Sequence, residues 1–133
     1  GNLNSTIKFE HSSAQTEWNR YKYNALQPLV GKFSEYSRQY AYAGPDRSFK
    51  YTYFTTKTAP VFNIFNDLFY ENKKKLIRPE LCNYMKSNIS LITWYLDDGT
   101  RDRTNGFHFA TNAFDSNDLY LLQKMLKKNF GLE

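Results

Sequence analysis

Asp97 and Asp98 are the side chains in this sequence best placed to do chemistry. They close an apolar run, Leu91-Ile92-Thr93-Trp94-Tyr95-Leu96, and are followed by Gly99 and Thr100. Ser87 or Asn88 can cap the start of this run, and Gly99 suits the left-handed position just past a helix end. The stretch from Asn88 to Asp98 therefore reads as a short buried helix. The carbonyls left free at a helix C-terminus carry partial negative charge, so cations belong there and acids do not. Two carboxylates in that place ask for a compensating positive charge. Carboxylate and carbonyl oxygens together form the donor set of a hard divalent cation such as Mg²⁺ or Mn²⁺. Successive helical side chains diverge by about 100°, so at most one of the two acids lines any shared site. A solvated Asp-Gly turn closing a core helix is the alternative that these residues alone leave open.

Other chemistries are poorly supplied. A Ca²⁺-loop reading of Asp97-Asp98-Gly99 fails, because the alternating acids and the closing Glu are absent. The one cysteine, Cys82, excludes an internal disulfide framework and a Cys-rich zinc site, and it reads as core. His11 and His108 do not form a metal-ligand pair by spacing, and His11 reads as a packed or capping residue. The net charge of +5 suggests a polyanionic partner. Tyr and Phe number 11 each, enough to build a core and to leave exposed rings that can stack on bases. No apolar run reaches membrane-spanning length, so no membrane partner is expected. The opening Gly1-Asn2-Leu3-Asn4-Ser5 is neither a secretory signal nor an Arg-rich transit peptide. Abundant Asn, Lys, Tyr, Phe and Ile fits an AT-rich genome, such as that of a mitochondrion or other organelle.

The elements that must position these residues follow from periodicity. Thr6 to His11 alternates like a half-buried strand. Ser12 with Gln15 forms a capping-box signature for a helix from about Ser13 to Gln27, with Trp18, Tyr21, Ala25 and Leu29 on one side. Phe33 to Ala43 and Arg47 to Thr56 read as strands joined by the turn Gly44-Pro45-Asp46. In the second of these, Phe49, Tyr51 and Tyr53 oppose Lys50, Thr52 and Phe54, and either face can be the wet one. Ala59 to Phe69 reads as a helix, with Val61, Ile64, Phe65 and Leu68 at helical spacing. Lys73 to Ile77 is a short basic strand, and Pro79-Glu80 opens a helix carrying Leu81, Tyr84 and Met85 inward. After Asp98 come a charged loop, Arg101-Asp102-Arg103, a strand from Phe107 to Asn112, and a last helix capped by Asp115 or Ser116. The last helix carries Leu119, Leu122, Leu126 and Phe130.

The segment Leu91-Ile92-Thr93-Trp94-Tyr95-Leu96-Asp97-Asp98-Gly99 resembles the motif of the LAGLIDADG homing endonucleases, in the form taken by the second copy in their two-motif, monomeric members. Lys73-Lys74-Lys75-Leu76-Ile77-Arg78-Pro79 is similar to the basic lead-in before that motif. Phe109-Ala110-Thr111-Asn112-Ala113-Phe114 is similar to the strand that follows it. The resemblance implies an α+β fold with a saddle-shaped antiparallel sheet backed by helices, and an incomplete second half. Residues 1–87 would be most of a first half without its motif helix. Residues 88–133 would be the second motif helix and the start of a second half. On this comparison Gly1 stands where the first motif's glycine would be, and Glu133 falls before a further strand pair and a closing helix.

The implied activity is site-specific, metal-dependent hydrolysis of both strands of DNA by an intron- or intein-type homing endonuclease. Asp98 would bind Mg²⁺ or Mn²⁺, with Asp97 in the preceding slot contributing its backbone carbonyl. The resemblance also places a lysine beside the metal-bound water, and Lys75 is favoured over Lys74 for that role. Arg38, Lys50, Lys74, Arg101 and Arg103 can contact DNA phosphates or bases, as can His108 and Asn112, which share a face of their strand. The family packs two motif helices side by side around small residues. Ile92 departs from that pattern unless it faces its own core. With one acid, the site is incomplete until a partner provides the second motif helix, and one piece of a split enzyme needing a complementary chain is a further reading. The alternative is a catalytically inactive nucleic-acid-binding derivative, an RNA maturase or an organellar ribosome-associated protein that binds structured RNA.

Overall fold

The computed structural model describes residues 4–45 and 47–132, and the chain divides into two compact units, Gly1–Ile64 and Phe65–Glu133. Expectations that involve Gly1, Asp46 and Glu133 lie outside the described residues.

The first unit is a three-stranded antiparallel sheet in the order β1-β3-β2, with β1 Lys8–Ser12, β2 Ser34–Gln39 and β3 Ser48–Thr55. One helix, α1 (Thr16–Ala25), covers one face. The period-2 alternation of β3 separates the faces as expected, and the helix decides which is dry. Thr52 and Phe54 are fully buried, and Phe9, opposite Phe54 in the register, stacks on it at 4.8 Å. Tyr23 of α1 meets Phe54 edge-on at 5.4 Å. Removing a ring so enclosed costs about 3–5 kcal/mol. The opposite face, with Glu10, Tyr36, Arg38, Phe49, Tyr51 and Tyr53, is left open to solvent.

Several local expectations need correction. Ser13–Gln15 is a 3-10 turn ahead of α1, and neither Ser12 nor Gln15 caps with its side chain. Gln15 instead hydrogen-bonds His11 Nδ1 at 3.0 Å, and the Thr16 hydroxyl donates to the Ser13 carbonyl at 2.8 Å. The buried residues of α1 are Asn19 and Lys22, while Tyr21 and Leu29 are exposed. The reason is polar pairing: the Asn19 amide donates to the Thr52 carbonyl at 3.0 Å, and the Lys22 ammonium donates to His11 Nε2 at 2.6 Å while lying against the Phe9 and Trp18 rings. Strand β2 stops at Gln39, and Ala41–Ala43 forms a 3-10 turn where continued strand was expected.

A 3-10 turn, Pro60–Phe62, leads into α2 (Asn63–Phe69), which spans the junction of the units. The turn buries Phe62 and α2 buries Leu68, whereas Val61, Ile64 and Phe65 are exposed. The second unit continues with a two-residue hairpin, β4 (Tyr70–Glu71) and β5 (Lys74–Lys75), whose turn residues Asn72 and Lys73 both have positive φ, as a type I′ turn requires. Helix α3 (Leu81–Tyr84) buries Leu81 and exposes Tyr84, which was expected inward. Then come α4 (Asn88–Asp98), a second small hairpin of β6 (Thr100–Arg101) and β7 (Phe107–His108), and α5 (Ser116–Phe130). The core of this unit gathers Leu68, Ile77, Leu81, Leu122 and Met125, with Trp94, Leu119, Leu126 and Phe130 packed around it.

Helix α5 shows the clearest local logic. Asp115 caps it, accepting from the backbone N–H groups of Asn117 and Asp118. Lys127 and Lys128 sit in its last turn, and Gly131 closes it in the left-handed conformation. The buried Asp118 carboxylate accepts from Ile77 N–H at 2.8 Å, and the Asn129 amide donates to the Cys82 and Met85 carbonyls. These bonds tie α5 to the segments that precede α4.

Candidate functional site

Helix α4 runs from Asn88 to Asp98, as its residues predict, and Ser87 rather than Asn88 caps it, accepting from Ile89 N–H at 3.1 Å. Its burial differs from expectation: none of its residues is buried. One side is held by aromatic contacts. Trp94 meets Phe109 at 4.3 Å, and Tyr95 meets Phe107 and Phe109 edge-on. The other side shows Ile89, Ile92 and Leu96 to solvent. Ile92 is 49% exposed, so it does not face its own core.

At the helix end Gly99 has φ −81° and ψ 161°, which is extended rather than left-handed backbone. The glycine is required for another reason. Its N–H donates to the Tyr95 carbonyl at 2.7 Å, and a Cβ there would lie 2.6 Å from that same oxygen and clash with the Tyr95 ring. The chain thus leaves α4 straight into β6, with Asp98 exposed and Asp97 half-buried. The oxygens at this end, carboxylate and free helical carbonyls, suit a hard divalent ion. Among the described residues no three His, Cys, Asp or Glu side chains gather to hold one. Asp98 is the exposed carboxylate of this end, chemically suited to a hard cation.

Lys74 and Lys75 each have a neighbour from the segment after the motif. Lys74 is 3.7 Å from the Asp115 carboxylate, and the Lys75 ammonium lies over the Phe114 ring at 5.4 Å. The Asp118 backbone N–H and the Lys74 charge hold Asp115 below the usual carboxylate range. The charged loop after the motif is organised by Asp102, which had no assigned role. One of its oxygens accepts from Thr104 N–H, the Thr104 hydroxyl and Gly106 N–H within 2.8 Å, and the other meets His108 Nε2 at 2.8 Å. The His108 contact first, then the Thr104 hydroxyl and the Gly106 amide, hold Asp102 well below the usual range. The signal was present as Asp-Arg-Thr-Asn-Gly, an acid that can bond the backbone two residues on.

This turn presents Arg103 exposed, while Arg101 hydrogen-bonds Asn105. His108 and Asn112 do not share a strand face: β7 ends at His108, and Asn112 lies in a turn. In the first unit, Arg38 is on the open face of the sheet, and Lys50 belongs to the other face, in register with Ser37.

Comparison with known proteins agrees with this architecture. The sequence matches the LAGLIDADG DNA endonuclease family over residues 1–133. It is 30% identical over 80 residues to the intron-encoded endonuclease ai4 of Dictyostelium discoideum, covering 60% of this chain and 50% of that protein. The structure is similar to that of the homing endonuclease I-WcaI bound to its DNA recognition sequence, with a TM-score of 0.81 and 21% identity, over 96% of this chain and 57% of that one. The chain thus spans about half the length of these relatives. With a match from first residue to last, the Asp-Asp-Gly helix end and the antiparallel sheets backed by helices, the chain belongs to the LAGLIDADG DNA endonuclease family.

Proposed function

We propose that this chain is the part of a site-specific DNA endonuclease that contributes one of its two metal-binding acids, Asp98. The observation that carries the reading is the placement of that acid: an exposed carboxylate at a helix C-terminus, directly before a glycine that the backbone cannot replace. Asp98 holds the cation, Mg²⁺ or Mn²⁺, and the Asp97 carbonyl assists. A divalent ion at such a place activates water and stabilises the leaving oxygen of a phosphodiester. Lys75 is assigned to steady charge near the acid, and Lys74, Arg101, Arg103, His108 and Asn112 to hold DNA, with Arg38 and Lys50 as contacts from the first unit. Double-stranded DNA is the partner. The second motif helix, with its own acid, comes from a complementary segment or chain seated on the Ile89-Ile92-Leu96 side of α4, which is open to solvent. An organellar compartment fits both the composition and the intron-encoded relative.

The test is cleavage of a randomised duplex library in Mg²⁺, with the complementary segment supplied where the chain alone is inert. Asp98→Asn is expected to lower the cutting rate by at least about a hundredfold while leaving the unfolding midpoint within error. Cutting by the variant at the native rate would overturn the assignment. Capture of nucleic acid without cutting under any of these conditions would leave a binding protein without chemistry.

A further inference from the structure

A neutral imidazole has one donor nitrogen and one acceptor nitrogen, and its partner decides which is which. In the β6–β7 hairpin that partner is Asp102. Cross-strand partners share a face, and here Thr100 pairs with His108 and Arg101 with Phe107. Phe107 meets Tyr95 of α4, so His108 lies on the face turned away from that helix, with 61% of its side chain exposed. Its Nε2 stands 2.8 Å from Asp102 Oδ2. The other oxygen, Oδ1, already accepts from Thr104 N–H, the Thr104 hydroxyl and Gly106 N–H, so the carboxylate cannot turn without losing those bonds. These contacts keep Asp102 ionised, and an ionised carboxylate only accepts. Nε2 therefore carries the proton, and Nδ1 of the neutral ring is left as a bare acceptor.

In the major groove adenine and cytosine present an amino donor, while guanine and thymine present keto acceptors. Every base pair holds one of each, so an acceptor reads on which strand the amino group stands. The arginines of this hairpin, Arg101 and Arg103, can only donate, and they suit phosphates or keto bases. His108 supplies the acceptor that they lack. Resting on the reading that His108 meets duplex DNA, we infer that Asp102 is a positioning residue that sets base preference, fixing His108 Nδ1 as the acceptor for the amino group of an adenine or cytosine.

Asp102→Asn tests this, because it keeps the shape and inverts the sense. Its carbonyl oxygen replaces Oδ1 and keeps the three donors, its amide N–H faces Nε2, and the His108 proton moves to Nδ1. Nitrogen NMR of the full chain at about pH 8, above the ordinary imidazole range, is expected to show a bare Nδ1 in the parent and a protonated one in the variant. Duplexes are then selected by binding from a randomised library in EDTA, with the complementary segment present where the chain alone does not bind. The parent is expected to favour adenine or cytosine at one position of one strand, and Asp102→Asn to favour guanine or thymine there, each by about three- to tenfold. His108→Ala is expected to flatten that position alone. A merely structural role for Asp102 would not reverse the preference. An Nδ1 that stays bare in Asp102→Asn, or a base preference shared by the parent and both variants, would overturn the inference and leave DNA recognition by the chain standing. A parent that selects no base at any position would remove the DNA reading itself, and this inference with it.

Discussion

At the scale of single residues, Gly99 shows how a correct expectation can rest on the wrong cause. A glycine after a helix suggests left-handed backbone, yet Gly99 is extended and is needed because Tyr95 leaves no room for a Cβ. The nearest obstacle includes a backbone carbonyl, which no rotamer change can move. Gly99→Ala is therefore expected to destabilise the fold by about 1–3 kcal/mol, read as a lower urea midpoint at unchanged slope. A midpoint equal to the parent's would show that the helix end relaxes freely. At Gly106 the obstacle is a side chain instead: a Cβ would stand 2.6 Å from the Asp102 carboxylate. The place of Asp98 at the helix end was legible from the sequence, because its position relative to Gly99 is a matter of order along the chain. The surroundings of Lys74 and Lys75 were not, since Asp115 and Phe114 come to them from some forty residues away.

At the scale of elements, the β6–β7 hairpin depends on one carboxylate. Asp102 bonds two backbone amides, a hydroxyl and an imidazole, and these hold its proton affinity below that of the unfolded chain. A group of this kind lends its stability in full above the ordinary carboxylate pKa, near 4, and loses it as pH falls below that value. The amide resonances of Thr104 and Gly106 are therefore expected to move as pH falls through the acid range below about 4. In Asp102→Asn that acid-range response should vanish; a persistent one would place the loosening elsewhere. Periodicity located most elements well, including all of α4. It failed where polar pairing overrode apolarity. Asn19 and Lys22 turn inward on α1 because Thr52 and His11 receive them, and an apolar count favours Trp18 and Tyr21 instead. In β3 the two faces were separable, but phenyl and phenol rings lie on both, and only the position of α1 tells which is covered.

At the scale of the whole molecule, charge is unevenly shared. Gly1–Ile64 carries eight basic and four acidic residues, while Phe65–Glu133 carries ten and nine. Binding of a DNA duplex should release counterions, and its affinity is expected to fall at least about tenfold between roughly 50 and 200 mM salt. A duplex affinity insensitive to salt would mean that the Lys and Arg side chains do not meet phosphates. The membership in a family of DNA endonucleases was legible because one short stretch concentrates its signature. How that stretch is covered was not, because burial is decided by neighbours that a linear motif does not name. Helix α4 keeps Ile89, Ile92 and Leu96 in water at steps of three and four residues. Oily stripes of this kind are adhesive, and this one adds to the chain's tendency to clump for as long as nothing covers it.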